Sequence, residues 1–197
     1  MRPTTAPELV DIGQRLIAEL DADPDRAGLK ETPGRWAKYM MAMTEGNAGD
    51  PAAILKTFED GAEKADELIH QGPIPFYSTC EHHLAPFFGV VHIGYIPDGR
   101  ILGLSKFARL IEIFARRLQV QERLTAQIAD TLWEHLKPEG VAVVIRARHM
   151  CMESRGVERM RIATTTSAMR GAFKEVGEAR AEFLKFVELA EQHSAPL

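Results

Sequence analysis

The chain has 197 residues, 45% of them hydrophobic and 26% charged, with a formal net charge of -4. That length suits one domain with a substantial core, and the acidic balance argues against a general nucleic-acid binder. No apolar run reaches membrane-spanning length. Two cysteines and no secretory-signal pattern fit a reducing cytoplasm.

Residues 1–5 carry no pattern and are expected to be irregular. From Ala6 to Asp21, the residues Leu9, Ile12, Leu16, Ile17 and Leu20 recur at helical spacing. Asp23-Pro24 breaks that helix. Thr32-Pro33 predicts a second one, with Thr32 as N-cap and Pro33 at the first helical position, running to about Glu45. A short third helix is expected after Asp50, opening on Pro51.

From about Gly72 the pattern turns to strand. Ile74, Phe76 and Tyr77 lead into a turn at Cys80, and Phe87 to Ile96 is rich in β-branched and aromatic residues. Pro97-Asp98-Gly99 signals a turn before Ile101-Leu102-Gly103-Leu104, so two antiparallel strands are expected here. Ser105 then caps a helix whose apolar face is Phe107, Leu110, Ile111, Phe114 and Leu118. Lys106 and Arg109 sit in its first turn. There they oppose the helix dipole, a local cost that an anion would relieve; a solvated basic face is the simpler use. A further helix runs from about Gln121 to Leu136, with Gln121 and Glu122 in a polar first turn.

Val141 to Cys151 reads as one strand, and period two would put His149 and Cys151 on the same face. Arg161 to Ser167 reads as another, and residues 168–192 as a C-terminal helix. Helices, two strands, two helices, two strands and a helix make an α+β fold with a mostly antiparallel four-stranded sheet. Helices on one face would leave its edges open, so an oligomer joined edge to edge is expected.

Two segments carry chemistry. In Cys80-Glu81-His82-His83, the thiol of Cys80 and the imidazole of His83 are three residues apart, and one turn can aim both at one point. Distant His149-Met150-Cys151 supplies the chain's other cysteine. Thiolates and imidazoles are zinc ligands, and three of them leave a position for water. His82 and His149 are then spare for proton transfer. The plain alternatives are a buried thiol serving as a small hydrophobe and a Cys80–Cys151 disulfide.

The chain resembles GTP cyclohydrolase I. The resemblance lies in Thr32-Pro33-x-Arg35, Cys80-Glu81-His82-His83-Leu84-x-Pro86-Phe87, Gly103-Leu104-Ser105-Lys106, Gln119-Val120-Gln121-Glu122-Arg123, His149-x-Cys151-Met152, Arg155-Gly156-Val157 and Thr166-Ser167-x-x-Arg170-Gly171. Glu153-Ser154 is a mild departure from the pattern. The resemblance implies the tunnelling fold (ββααββ) and a homodecamer of two stacked pentamers with active sites shared between subunits. The residue pattern gives a helical region over residues 1–71, and the resemblance makes residues 72–197 the catalytic domain with a C-terminal helix. By resemblance, Cys80, His83 and Cys151 hold zinc, while His82 and His149 transfer protons. Ser105 lies near the ribose. Glu122, with Gln121 beside it, recognises guanine from a buried position. Lys106, Arg109 and Arg155, and more weakly Arg35, contact the triphosphate. The implied reaction turns GTP and water into 7,8-dihydroneopterin triphosphate and formate. The alternatives are another enzyme of this fold acting on a pterin or deazapurine, and a non-catalytic zinc module.

Overall fold

The computed structural model describes residues 6–59 and 65–192. The irregular N-terminus expected over residues 1–5 lies outside them. The chain divides into two compact units, one ending at Glu45 and the other beginning at Gly46.

The first unit is a pair of helices, α1 (Ala6–Leu20) and α2 (Thr32–Thr44). They meet closely where α1 lacks a side chain: a Cβ on Gly13 would lie 3.1 Å from the Trp36 ring. Thr32 does not cap α2. Glu31 holds the cap position without a side-chain cap bond, and Thr32 is the first helical residue. Glu31 instead pairs with Arg35 one turn on.

The second unit opens with α3 (Pro51–Ile54), where the Ala52 N–H donates to Asp50 Oδ1 at 3.0 Å. It continues through β1 (Thr57–Phe58), β2 (Ile69–Cys80), β3 (Pro86–Ile96), β4 (Ile101–Leu102) and α4 (Ser105–Ala115). Then follow β5 (Leu118–Gln119), α5 (Gln121–Leu136), β6 (Gly140–His149) and α6 (Met150–Glu153). The chain closes with β7 (Ala163–Gly171), α7 (Ala172–Glu175) and α8 (Gly177–Gln192). The main sheet has the order β5-β2-β3-β6-β7. The four long strands are antiparallel, as expected, and the two residues of β5 add a parallel edge to β2.

Several elements differ from expectation for physical reasons. β4 does not pair with β3 across the Pro97-Asp98-Gly99 turn. β2 and β6 occupy both edges of β3, so β4 pairs with β1 instead. Ser105 begins α4 and makes no cap bond. Leu118 leaves the apolar face of α4 for β5, where it is exposed. Residues 168–171 belong to β7, because Gly140–Val143 of β6 pair with them.

The sheet is also covered on both faces rather than one. Val141, Val143, Ile145 and Ala147 of β6 pack into the main core with Phe107 and Leu110 of α4 and Leu124, Ile128 and Leu132 of α5. Ala142 and Val144 point the other way, onto Phe173 and Phe183. α8 lies so close there that a Cβ on Gly94 would meet the Phe183 ring at 2.6 Å.

Candidate functional site

The site is assembled at one end of β2, β3 and β6. β2 ends at Cys80, whose N–H donates to Ala85 O at 2.8 Å; the Leu84 N–H donates back to Cys80 O at 2.9 Å. Leu84 closes this turn with φ 52, a conformation that costs a leucine energy and keeps the bend tight. The turn is tied to the neighbouring segment twice. The Glu81 N–H donates to Gln119 O at 3.0 Å, and Arg123 grips the Glu81 carboxylate with two bonds of 2.6 and 3.0 Å. Those bonds hold the Glu81 carboxyl below its usual range, against the smaller opposing effect of burial.

The expected strand through Cys151 stops two residues short of it. The register of β6 ends with His149 opposite Phe87 of β3, and β7 has already ended with Ala163 opposite Arg148. With no ladder to continue, residues Met150–Glu153 wind into α6, and Ser154 Oγ donates to Met150 O at 2.6 Å. Arg148 braces the turn through Glu153, with bonds of 2.8 and 2.5 Å. The turn still delivers Cys151. The ligand atoms of Cys80, His83 and Cys151 lie within 4.8 Å of one another, and Cys80 Sγ is 3.9 Å from His83 Nδ1.

Two thiols and an imidazole gathered at one point form a zinc-type donor set. Burial pushes the Cys151 thiol up, and the nearby Cys80 thiol adds to this, while Arg155 works the other way. Two sulfurs this close ionise together at low cost only with a cation between them.

The three ligand residues line a cavity of about 220 Å³ together with His82, Phe87, Gln121, Glu122 and His149. His82 is well exposed, its ring edge-on to that of His83. His149 is half-buried and stacks flat on Phe87, with centroids 4.8 Å apart and 2° between the planes. Burial lowers its pKa, and the charge of Glu122 opposes that shift. Glu122 is exposed in this chain, not buried as expected.

Gln121 is the buried one, only 1% exposed. Sequence reasoning placed it beside the guanine; the structure commits its side chain to His149 Nε2 at 2.7 Å and to Ile145 O, Thr164 O and Thr166 Oγ1. Neither Thr164 nor Thr166 is a predicted site residue: Thr166 stands in the Thr166-Ser167-x-x-Arg170-Gly171 match without a role, and nothing local in the sequence marks Thr164. Ser105, Lys106 and Arg109 do not line the cavity. Nor does exposed Arg155, although its charge reaches Cys151. Arg35 belongs to the first unit and pairs with Glu31.

Two thiols and an imidazole that could hold a metal ion, with two further imidazoles and a carboxylate around one cavity, define the class: a candidate metal-assisted acid–base site on an α+β fold. Residues 11–188 match the GTP cyclohydrolase I family. The chain is 57% identical to GTP cyclohydrolase 1 of Nitrosospira multiformis, covering 91% of this chain and 93% of that one. It is 52% identical to GTP cyclohydrolase 1 of Mycolicibacterium paratuberculosis, over 88% of this chain and 85% of the other. An archaeosine synthase of the QueF-like type, solved in the apo form, is 18% identical with a TM-score of 0.42, covering 55% of this chain and 97% of that one. The chain belongs to the GTP cyclohydrolase I family.

Proposed function

We propose that the chain is a zinc-dependent GTP cyclohydrolase that converts GTP and water to 7,8-dihydroneopterin triphosphate and formate. One observation carries this reading. In a member of that family, Cys80, His83 and Cys151 converge on the same cavity as His82, His149 and Glu122. A divalent ion held by those three residues supplies Lewis acidity and a water that is acidic near neutral pH. The rest is done by the chain. His149 donates a proton to N7 of the guanine, which makes C8 electrophilic. Exposed His82 exchanges protons with the opening ring and the departing formyl group, and with solvent. Glu122 accepts hydrogen bonds from the guanine N1–H and amino group. Adenine presents a different edge and leaves that carboxylate unpaired.

Ser105 by the ribose, and Lys106, Arg109, Arg155 and Arg35 on the triphosphate, complete the substrate site. Ser105, Lys106 and Arg109 do not line the Cys80 cavity of this chain, so a neighbouring copy supplies them. The outer edge of β7 and most of the outer edge of β2, the one away from β3, carry no partner strand among the described residues. That supports edge-to-edge rings, paired as a decamer with shared active sites. Residues 72–197 form the catalytic domain in this reading, and a reducing cytoplasm suits its two thiolate ligands.

Incubation of the purified protein with GTP tests the reading, following formate release and the pterin absorbance together. Recovery of GTP unchanged by the zinc-loaded protein would refute it. Glu122→Gln should lose GTP affinity or turnover, because its NH2 would face a donor; unchanged kinetics would remove Glu122 from guanine recognition.

A further inference from the structure

We propose that Gln121 is a positioning residue that fixes the tautomer of His149 and does not read the guanine ring. The inference rests on the reading of His149 as a proton-transfer group. It follows from counting donors and acceptors around one buried amide.

The Gln121 side chain has an NH2 with two hydrogens and an oxygen that only accepts. Ile145 O at 3.1 Å and Thr164 O at 2.9 Å are backbone carbonyls and cannot donate. They therefore face the NH2. Thr166 Oγ1 at 3.1 Å is a third acceptor, sharing one of the two hydrogens. The neighbouring hydroxyls fit the same direction. Thr125 Oγ1 donates its single hydrogen to Gln121 O at 2.7 Å. The 2.7 Å bond between Thr125 Oγ1 and Thr166 Oγ1 must then run from Thr166 to Thr125. Turning the amide over would set its oxygen against two carbonyls in a site 1% exposed, which is costly.

The oxygen is thus left for His149, whose Nε2 lies 2.7 Å away. An amide oxygen cannot donate, so Nε2 carries the hydrogen. In the neutral ring Nδ1 is then the bare nitrogen, and it alone can take up and return a proton. Phe87 clamps the ring plane from the facing strand, so the imidazole is fixed in both tilt and tautomer. A neutral amide does this without placing a second carboxylate against the carbonyls of Ile145 and Thr164.

The direct test is the nitrogen spectrum of 15N-histidine-labelled, zinc-loaded protein by magic-angle-spinning NMR, with the His149 ring identified by its absence in His149→Ala. In mildly alkaline buffer, where imidazoles are neutral, His149 should show a protonated Nε2 and a bare Nδ1. In Gln121→Met the two tautomers should mix. That variant should lose turnover by about 10–100-fold, as when other partners that orient a working histidine are removed. Its KM for GTP and its preference for GTP over ITP, which lacks the amino group, should stay as they were. In a His149→Ala background the same substitution should cost nothing further.

A bare Nε2 in the unmodified protein overturns the proposal without reference to any variant, so misfolding of Gln121→Met leaves it testable. A raised KM with a changed GTP-to-ITP preference overturns it in favour of a guanine contact. Full activity in His149→Ala would instead bring down the reading on which it rests, a distinguishable result.

Discussion

Two pairs of histidines occupy opposite faces of this fold, in opposite surroundings. His149 and His82 border a cavity, each with a charged or polar neighbour, where the proposed function has them exchange protons with a bound molecule. His70 and His92 lie under α8, stacked at 5.4 Å with His70 Nε2 3.1 Å from His92 Nδ1. Burial holds both of the latter down to about 4, with the second imidazole adding to the effect at His70 and Arg146 at His92. Glu191 does not rescue the charge. It lies 3.7 Å from His92 Nε2, beyond hydrogen-bond reach, and spends itself on Arg146 Nε at 3.1 Å. The same side chain borders a cavity where it meets solvent and a fixed acceptor, and is a neutral packing ring where it meets Phe183 and Phe186. Residue type alone does not assign the role.

The contrast can be broken from the cavity side first. Cys80→Ser or Cys151→Ser should abolish zinc binding and activity while far-ultraviolet circular dichroism stays native, because the core does not depend on the metal. Full zinc and full turnover in either variant would dissolve the cluster. His149→Ala should keep its zinc, measured by atomic absorption, and lose about 10²–10⁴-fold in turnover. Zinc loss there would make His149 a ligand rather than a proton carrier.

On the other face the expected effects are on stability. Phe183→Ala removes a fully buried ring between α8 and the sheet and should cost about 3–5 kcal/mol by urea unfolding. His70 and His92 have folded pKa values below their unfolded ones, so the unfolded chain binds protons that the folded one refuses. Stability should therefore fall as pH drops from about 6.5 towards 4, and level off below that for these two groups. Replacing both with phenylalanine should flatten that slope in unfolding curves taken across the range. An unchanged slope would mean that the pair titrates normally.

The metal cluster was legible because its chemistry is written in residue type and spacing: Cys-x-x-His and the chain's one other cysteine. The helices were legible from their apolar stripes. What stayed hidden depends on distant partners. Gln121 looked like any polar first-turn residue, since the atoms that commit it belong to Ile145, His149, Thr164 and Thr166. Cys151 left its strand because neighbouring ladders ran out, which no local pattern records. The second covered face did leave a trace. Val141-Ala142-Val143-Val144-Ile145 is an unbroken apolar run, the mark of a strand buried on both sides, where a one-sided sheet would alternate.

The register between β3 and β6 has a consequence for the order in which this molecule is made. The Cys80 turn belongs to the β2–β3 hairpin, which can form early from neighbouring chain. Cys151 follows β6, and β6 reaches β3 only across the whole stretch of chain that carries α4, β5 and α5. Long-range strand pairing of this kind is slow, because loop closure comes before its reward. No short-range contact can bring the two cysteines together ahead of it. A metal ion held by all three residues of the proposed site would thus mark the arrival of β6, and a chelating dye present during refolding would time that event.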